Sequence, residues 1–330
     1  MKLHIKPRPS NLARAALIAQ IVLANPGTAH GITLDANDLT AVFARELEWI
    51  DQQLQRTEFL PLKSKELIDW DSRGGAGVNQ VTWRKVTEVG KADWIGNTTT
   101  ELPAVDVVGN EYSRDVRNLG AFYRYSVFEL KNAAESPTIR LDTERKGAAY
   151  NAVMRKHDVT ALIGDSAIGW TGLFNDANVP LVTAITGNWS TTATGEQIAA
   201  DLSKLVWSVY KATLENYEID TLAIPTAFAQ VFDKVLSNTG ISVRKYIQDT
   251  FPQIKRIVTS VYLDTAGAGG IKRVVAYKKS KDVVLYGAND PFNEEPPQAA
   301  GLDFRVPVYG RSSGTQIRKP LAMAYMDLAA

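Results

Sequence analysis

The feature that most constrains this chain is a long amphipathic helix predicted over residues 136–163. Ser136 can accept hydrogen bonds from the free N–H groups of a helix start, and Pro137 suits the first helical position, where its missing N–H costs nothing. Apolar residues then recur at three- and four-residue spacings, whereas most charged residues fall on the rest of the surface. Gly164 is placed where a left-handed residue would end the helix. Such a helix exceeds the usual length of about 11 to 12 residues, so other elements are expected to pack along it.

The predicted helix leads into a glycine-rich segment, Gly164–Asn175. Three glycines and an aromatic pair within this segment favour a sharp change of chain direction. Glycine loops that bind phosphate lie instead between a strand and the N-terminus of a helix. We therefore predict a helix stop followed by a tight turn, and not a phosphate site.

A second feature is a long segment before the helix that lacks apolar support of its own. Residues 71–77 form a glycine-rich hinge, and residues 78–89, rich in Val, Thr and Trp, predict a strand. Residues 105–127 predict the return strand after a polar tip at 97–100. A two-stranded ribbon without a core is marginal in water. We therefore expect the ribbon to rest on another surface, most simply on a neighbouring copy of the chain.

The N-terminal part of the chain is predicted to be an arm and one helix. Residues 1–34 contain a basic, Pro-containing start, a short apolar helix and a turn. Apolar spacing over residues 39–54 predicts an amphipathic helix.

The C-terminal part is predicted to be a mixed globular domain. Thr194 and Gln197 fit a capping box at the start of one helix, and further helices are expected after Pro225 and from Ser242. Strands are predicted at 221–224, 255–263, 271–278, 283–286, 304–309 and 322–326, with a Pro-rich linker at 290–301. Helices and strands without regular alternation indicate an α+β fold, not a doubly wound sheet.

Composition narrows the classes of function. Near-equal Lys+Arg (37) and Asp+Glu (36) give a formal charge of +1, so no strong global field attracts nucleic acid or an acidic membrane. The chain has no cysteine, which excludes disulfides, thiolate metal sites and cysteine nucleophiles. Its histidines, His4, His30 and His157, are too far apart in sequence to form a local ligand pair, and no metal or cofactor is expected. No apolar run approaches the length of a membrane span.

Two groups of residues offer catalytic chemistry, but both have simpler explanations. Asp165-Ser166 with His157 could supply a nucleophile and a base, and Glu294-Glu295 could supply an acid–base pair. Ser166 lacks a strand-to-helix nucleophile elbow, and the two glutamates lie in the Pro-rich linker, where solvated charges are ordinary. A soluble α+β hydrolase is thus a remote alternative, and a protein that is not an enzyme is expected.

Several short motifs occur in an order that resembles a known family. They are Gly90-Lys91-Ala92-Asp93-Trp94-Ile95 and Leu102-Pro103-Ala104-Val105-Asp106-Val107 in the ribbon, Tyr125-Ser126-Val127-Phe128-Glu129-Leu130 before the helix, Lys146-Gly147-Ala148-Ala149 within it, Gly164-Asp165 and Gly169-Trp170-Thr171-Gly172-Leu173-Phe174-Asn175 after it, and Pro320-Leu321-Ala322-Met323-Ala324-Tyr325-Met326-Asp327 near the end. Over nearly its whole length the chain resembles the major capsid protein of tailed double-stranded DNA bacteriophages, which has the Hong Kong 97-like capsid fold.

The resemblance implies an arm, a peripheral domain, an extended loop and an axial domain. The implied ranges are 1–34 for the arm, 35–70 and 118–180 for the peripheral domain with its spine helix at 136–163, 71–117 for the extended loop, 181–310 for the axial domain, and 311–330 for the return to the peripheral domain. The extended loop would reach over an adjacent subunit, which makes its basic residues and a tryptophan the candidate assembly residues. They are Arg73, Arg84, Lys85, Lys91, Trp94, Arg114 and Arg117. Trp83 and Trp189 are further candidate anchors between subunits.

The implied function is structural. Hexamers and pentamers of the chain would close into the icosahedral shell of a virion around a double-stranded DNA genome, after assembly in the host bacterial cytoplasm. Implied partners are other copies, a separate scaffolding protein, a portal, DNA held by weak non-specific contact, and a decoration protein, with no membrane partner. The near-neutral charge fits, because a strongly basic lining would hold the packaged genome to the wall. An encapsulin-like nanocompartment around protein cargo is the nearest alternative.

Overall fold

The computed structural model describes residues 59–96, 102–135, 141–189, 193–237 and 239–328. The α-helices are Ser64–Leu67 (α1), Val127–Glu135 (α2), Leu141–Leu162 (α3), Gly195–Ala212 (α4) and Val243–Thr250 (α5). The strands are Asp69–Asp71 (β1), Gln80–Gly90 (β2), Val105–Asp115 (β3), Arg117–Ser126 (β4), Gly164–Asp165 (β5), Trp170–Thr171 (β6), Thr221–Pro225 (β7), Arg256–Ser260 (β8), Lys272–Tyr277 (β9), Val284–Gly287 (β10), Asp290–Glu294 (β11), Gln298–Ala300 (β12), Asp303–Ser312 (β13), Gly314–Ile317 (β14) and Met323–Leu328 (β15). Short 3₁₀ helices occupy Ser166–Ile168, Thr226–Asp233, Val261–Asp264, Ala268–Gly270 and Pro320–Ala322.

The long helix α3 is the element against which the β4–β13 sheet packs. Ala149, Val153 and Met154 form its apolar stripe and contact Tyr123 of β4 and valines of β13. The predicted end of this helix is confirmed, because α3 stops at Leu162 and Gly164 follows with φ +86°. The predicted start at Ser136, the arm, the helix at 39–54 and the tip at 97–100 lie outside the described residues.

A four-stranded sheet in the order β15-β9-β7-β8 separates the two largest apolar clusters. Alternate residues of β9 point to opposite faces, so Val274 and Ala276 join the cluster beneath α4, while Val275 and Tyr277 join the cluster around the C-terminal end of α3. All its pairings are antiparallel except β7 with β8. The mixture of helices with a mainly antiparallel sheet confirms the predicted α+β class.

Strand β13 links the end of the chain to the strand before α2. It pairs with β4 along its whole length, from Asp303 opposite Ser126 to Ser312 opposite Arg117. The predicted boundary at residue 310 therefore does not coincide with a break in the hydrogen bonding. Where the peripheral and axial parts meet stays a prediction.

Two predictions from local pattern are wrong. The return strand at 105–127 is two strands, because the chain changes partner at Val116: β3 pairs with β2, whereas β4 pairs with β13, and Val127 already begins α2. The Pro-rich linker at 290–301 contains β11 and β12, which lie along the other edge of β13. The pairing of β11 with β13 shifts register between Asp290 and Asn293, which is where Pro291 lies. Proline is tolerated at such an irregularity because its position donates no backbone hydrogen bond to the neighbouring strand.

The predicted helix starts in the C-terminal part are mostly confirmed. The Thr194 hydroxyl accepts from Gln197 N, and the Gln197 side chain accepts from Thr194 N, which is the expected capping box of α4. The Ser242 hydroxyl accepts from Lys245 N at the start of α5. The helix expected after Pro225 is a 3₁₀ helix. No helix of the described part of the chain is both long and apolar enough to cross a membrane.

Candidate assembly interface

Strands β2 and β3 form a two-stranded ribbon that projects from the body. Eleven residue pairs connect them, from Gln80 opposite Asp115 to Gly90 opposite Val105. At about 3.3 Å per residue the paired part is roughly 35 Å long. Beyond the first few pairs nearly every residue of both strands is exposed. The predicted absence of apolar support within the ribbon is confirmed for its outer part.

The outer ribbon nonetheless carries many large apolar side chains. Those at least 46% exposed between Val86 and Val108 are Val86, Val89, Trp94, Ile95, Leu102, Val105, Val107 and Val108. Trp94 is the extreme case, with its side chain entirely in solvent. Single exposed apolar residues are ordinary, but so many on both faces of one projecting ribbon indicate a surface that another protein covers.

Four of the predicted basic residues are in ion pairs with carboxylates of the same chain. The pairs are Arg73–Asp71 (2.8 Å), Arg84–Glu111 (2.6 Å), Lys91–Asp93 (2.8 Å) and Arg117–Asp115 (3.6 Å). The hydrogen bond from Arg73 lowers the pKa of Asp71. All four cations are well exposed, so each pair contributes little to subunit stability. Their effect is to neutralise the ribbon, which favours apolar contact over charge attraction.

Arg114 is placed differently from the other candidates, because it attaches the base of the ribbon to its own subunit. Its Nη1 donates to Thr315 O of β14, and its guanidinium carbon lies 5.8 Å from the centre of the Trp170 ring. Burial lowers the pKa of Arg114. Beside it, Trp83 and Tyr112 stack across the two strands with ring centres 5.9 Å apart. The base is therefore anchored and the outer ribbon is free of the body. No sequence pattern signals the Arg114 contact, since Thr315 lies 201 positions along the chain.

Of the remaining candidates, Lys85 is exposed to solvent and Trp189 is buried in the subunit. Lys85 is exposed on β2 and lines a cleft of about 680 Å³ between the ribbon base and residues 315–320. Trp189 is fully buried beneath α4, and its Nε1 donates to the Asp201 carboxylate at 2.9 Å. The prediction of Trp189 as an anchor between subunits is therefore wrong: its apolar bulk belongs to the subunit core.

Two of the residues that could have supported catalysis, His157 and Glu294, are engaged in structural contacts. His157 is buried, with Nδ1 2.7 Å from Tyr286 Oη and Nε2 3.1 Å from Pro291 O. Both ring nitrogens are thus occupied, and Ser166 is not one of their partners. Glu294 accepts from Tyr123 Oη at 2.7 Å and pairs with Lys146. Among the described residues no group of His, Asp and Glu has the arrangement of a metal site.

Comparisons with known proteins agree on one family. A family model described as major capsid protein matches residues 90–328. The structure is similar to the capsid of Myoviridae phage XM1, with a TM-score of 0.76 and 21% identity over 87% of this chain and 98% of that one. Mycobacterium phage Bobi gives a TM-score of 0.64 at 12% identity, covering 91% of this chain and 100% of that one. The capsid of an empty GTA particle gives 0.60 at 11% identity, covering 86% and 95%. At these identities the structural likeness establishes the fold alone. No curated protein sequence matches the chain.

Proposed function

The chain belongs to the major capsid protein family, and we propose that its copies close as hexamers and pentamers into an icosahedral shell in which each ribbon lies across a neighbouring copy. Its role in the virion is structural, and its copies assemble into the shell.

The observation that carries the proposal is the outer ribbon. It has exposed apolar residues on both strands, a fully exposed tryptophan, and an anchored base that fixes its direction. The stability that two strands gain from pairing with each other is too small to offset the exposure of so much apolar surface to water. A neighbouring copy would cover this surface and supply the missing packing partner.

Many modest contacts suffice for such a shell. An ordinary specific interface buries roughly 800 Å² per partner, and a subunit with several neighbours is held by all its contacts together. The internally paired charges of the ribbon fit this scheme, because they remove long-range attraction that would make association indiscriminate.

A ribbon excision tests the proposal. Residues Thr87–Val108 are removed, and Val86 is joined to Gly109, its direct cross-strand partner, by an Asn-Gly turn. The Trp83–Tyr112 stack and the Arg114 contact remain, so the subunit should fold normally. We expect a circular dichroism spectrum and melting temperature close to those of the full chain, and no shells by electron microscopy.

Two further variants sharpen the result. Replacing Val89, Val107 and Val108 by threonine keeps the ribbon length but removes apolar surface, and should also lower shell yield. Thr87→Ser on the same strand is the matched control and should assemble normally. Shells of normal size from the excision variant would show that the ribbon is not the clamp.

The finer partners follow from the same proposal. We propose a separate scaffolding protein, a portal, a decoration protein on the outside, weak non-specific contact with packaged double-stranded DNA, and assembly in the host bacterial cytoplasm. The near-neutral composition supports weak DNA contact, because each bound phosphate would add a salt-sensitive attraction. Purified particles that contain DNA support this reading, whereas particles filled with a cargo protein would support a nanocompartment.

A further inference from the structure

The cleft beneath the ribbon base is an unfilled space with a polar lining. It measures about 680 Å³ and lies between the inner side of the ribbon and the chain around β14. Trp83 and Tyr112 line it on the ribbon side, and residues 315–320 line it on the body side. Strand β14 is the edge of its three-stranded sheet, as far as the described residues extend.

The charges around the cleft are unbalanced. Five cationic side chains and two carboxylates line it. Lys85 and Lys319 stand on opposite walls, and neither has an ion-pair partner within the described ranges. The Lys319 ammonium instead contacts Tyr217. The Lys278 ammonium lies 5.6 Å from the centre of the same ring. The cleft therefore favours a group that carries negative charge.

Two buried polar atoms near the cleft lack hydrogen-bond partners in the part of the chain that the structure describes. Gln316 is 2% exposed and its Oε1 has no donor, while Arg318 Nε has no acceptor. Both residues line the cleft. A buried polar group without a partner costs about 1–3 kcal/mol, so each such atom indicates a missing contact.

These two atoms distinguish between possible occupants. Arg318 Nε needs an acceptor, which a carboxylate, a phosphate or a backbone carbonyl can supply. Gln316 Oε1 needs a donor, which a backbone N–H supplies and a phosphate diester does not. A polypeptide with acidic side chains can supply the donor, the acceptor and a carboxylate for each of the two lysines that lack an ion-pair partner, whereas the phosphates of nucleic acid supply no donor for Gln316.

We propose that the cleft receives an acidic, extended segment from a second copy of this chain, with its carboxylates at Lys85 and Lys319 and its backbone at Gln316 and Arg318. The proposal rests on the proposed shell function and adds the place where a neighbour's polar segment docks. The cleft continues the inner side of the ribbon, so one neighbour can cover the ribbon and fill the cleft.

Carboxyl–amine cross-linking with a zero-length carbodiimide tests the proposal on the full chain. Copies labelled with ¹⁴N and ¹⁵N are mixed, assembled without nucleic acid, and cross-linked as purified shells. We expect peptides in which Lys85 or Lys319 of one label is joined to an Asp or Glu of the other label, and no such peptides from unassembled subunits. Shells without cross-links between labels at either lysine would overturn the proposal.

Charge reversal gives an independent readout. Lys85→Glu and Lys319→Glu place like charges in the cleft, and each should raise the concentration needed for assembly at least about tenfold. Lys245→Glu, the same change at an exposed lysine outside the cleft, is the matched control. Lys85→Glu and Lys245→Glu should melt like the unchanged subunit, and Lys319→Glu, which also loses its contact with Tyr217, should melt slightly lower. Unchanged assembly by both cleft variants would refute the inference, while a failure of the unaltered chain to form any shell would refute the proposed function instead.

Discussion

His157, which is buried on α3, makes the free energy of unfolding of the subunit depend on pH. The Pro291 carbonyl can only accept, so His157 Nε2 carries the proton, and Nδ1 accepts from the Tyr286 hydroxyl. Trp70 covers the ring at 5.6 Å between centroids, and the nearby Lys65 adds a positive charge. Burial, followed by the effect of Lys65, lowers the pKa of His157 to about 4 from 6.5.

The direction of the effect follows from which state binds the proton first. The unfolded chain takes up the proton as pH falls through 6.5, whereas the folded chain resists until about pH 4. The stabilisation is therefore complete above the unfolded value and is lost progressively as pH falls towards the folded value. The free energy of unfolding should be lower by about 2 kcal/mol near pH 5, and by roughly 3 kcal/mol near pH 4, than at neutral pH.

Urea unfolding of unassembled subunits between pH 7.5 and 4.5 measures this dependence. Other groups titrate in the same range, so the comparison is with His157→Gln, which keeps hydrogen-bonding capacity but cannot gain a proton. The decline on acidification should be smaller in the variant by about 2 kcal/mol near pH 5. Equal declines in both proteins would show that the folded chain does not hold the imidazole neutral.

Three other substitutions separate assembly from folding. Trp94→Ala should leave the free energy of unfolding within about 0.5 kcal/mol of the unchanged subunit, because the side chain touches solvent, yet lower shell yield; a large loss of stability in urea would contradict this. The buried Arg273 guanidinium lies 2.5 Å from the Asp327 carboxylate. Asp327→Ala removes that carboxylate and should lower the free energy of unfolding, measured with urea, by about 3–5 kcal/mol, whereas Asp327→Asn should lower it less. Gly172→Ala would place a Cβ 2.4 Å from the Leu162 carbonyl, so the melting temperature should fall clearly; an unchanged value would mean that the turn can move away.

Part of the fold was predictable because its signals are local. The long helix and its end at Gly164 follow from apolar spacing and from the conformational freedom of glycine, and the capping residues of α4 and α5 follow from side chains three positions from their partners. The outer ribbon was predictable from a composition that offers no core.

The site was predictable only in outline. Trp94, Arg84, Lys91 and Arg117 are exposed where the sequence indicated, and their exposure agrees with the proposed assembly role. Trp189 was misplaced, because an aromatic residue looks the same in sequence whether a neighbour or its own subunit covers it. The role of Arg114 was missed because its contacts come from β6 and β14.

By itself the sequence determined the long helix and its end, the starts of α4 and α5, the α+β class and a ribbon without a core, since these depend on residues within a turn or two of one another. The tertiary structure alone decided that β13 pairs with β4, that His157 is neutral, and that a charged cleft lies beneath the ribbon. Each of these depends on groups more than a hundred positions apart, and no local spacing records which of the possible distant partners buries the most surface and satisfies the most hydrogen bonds.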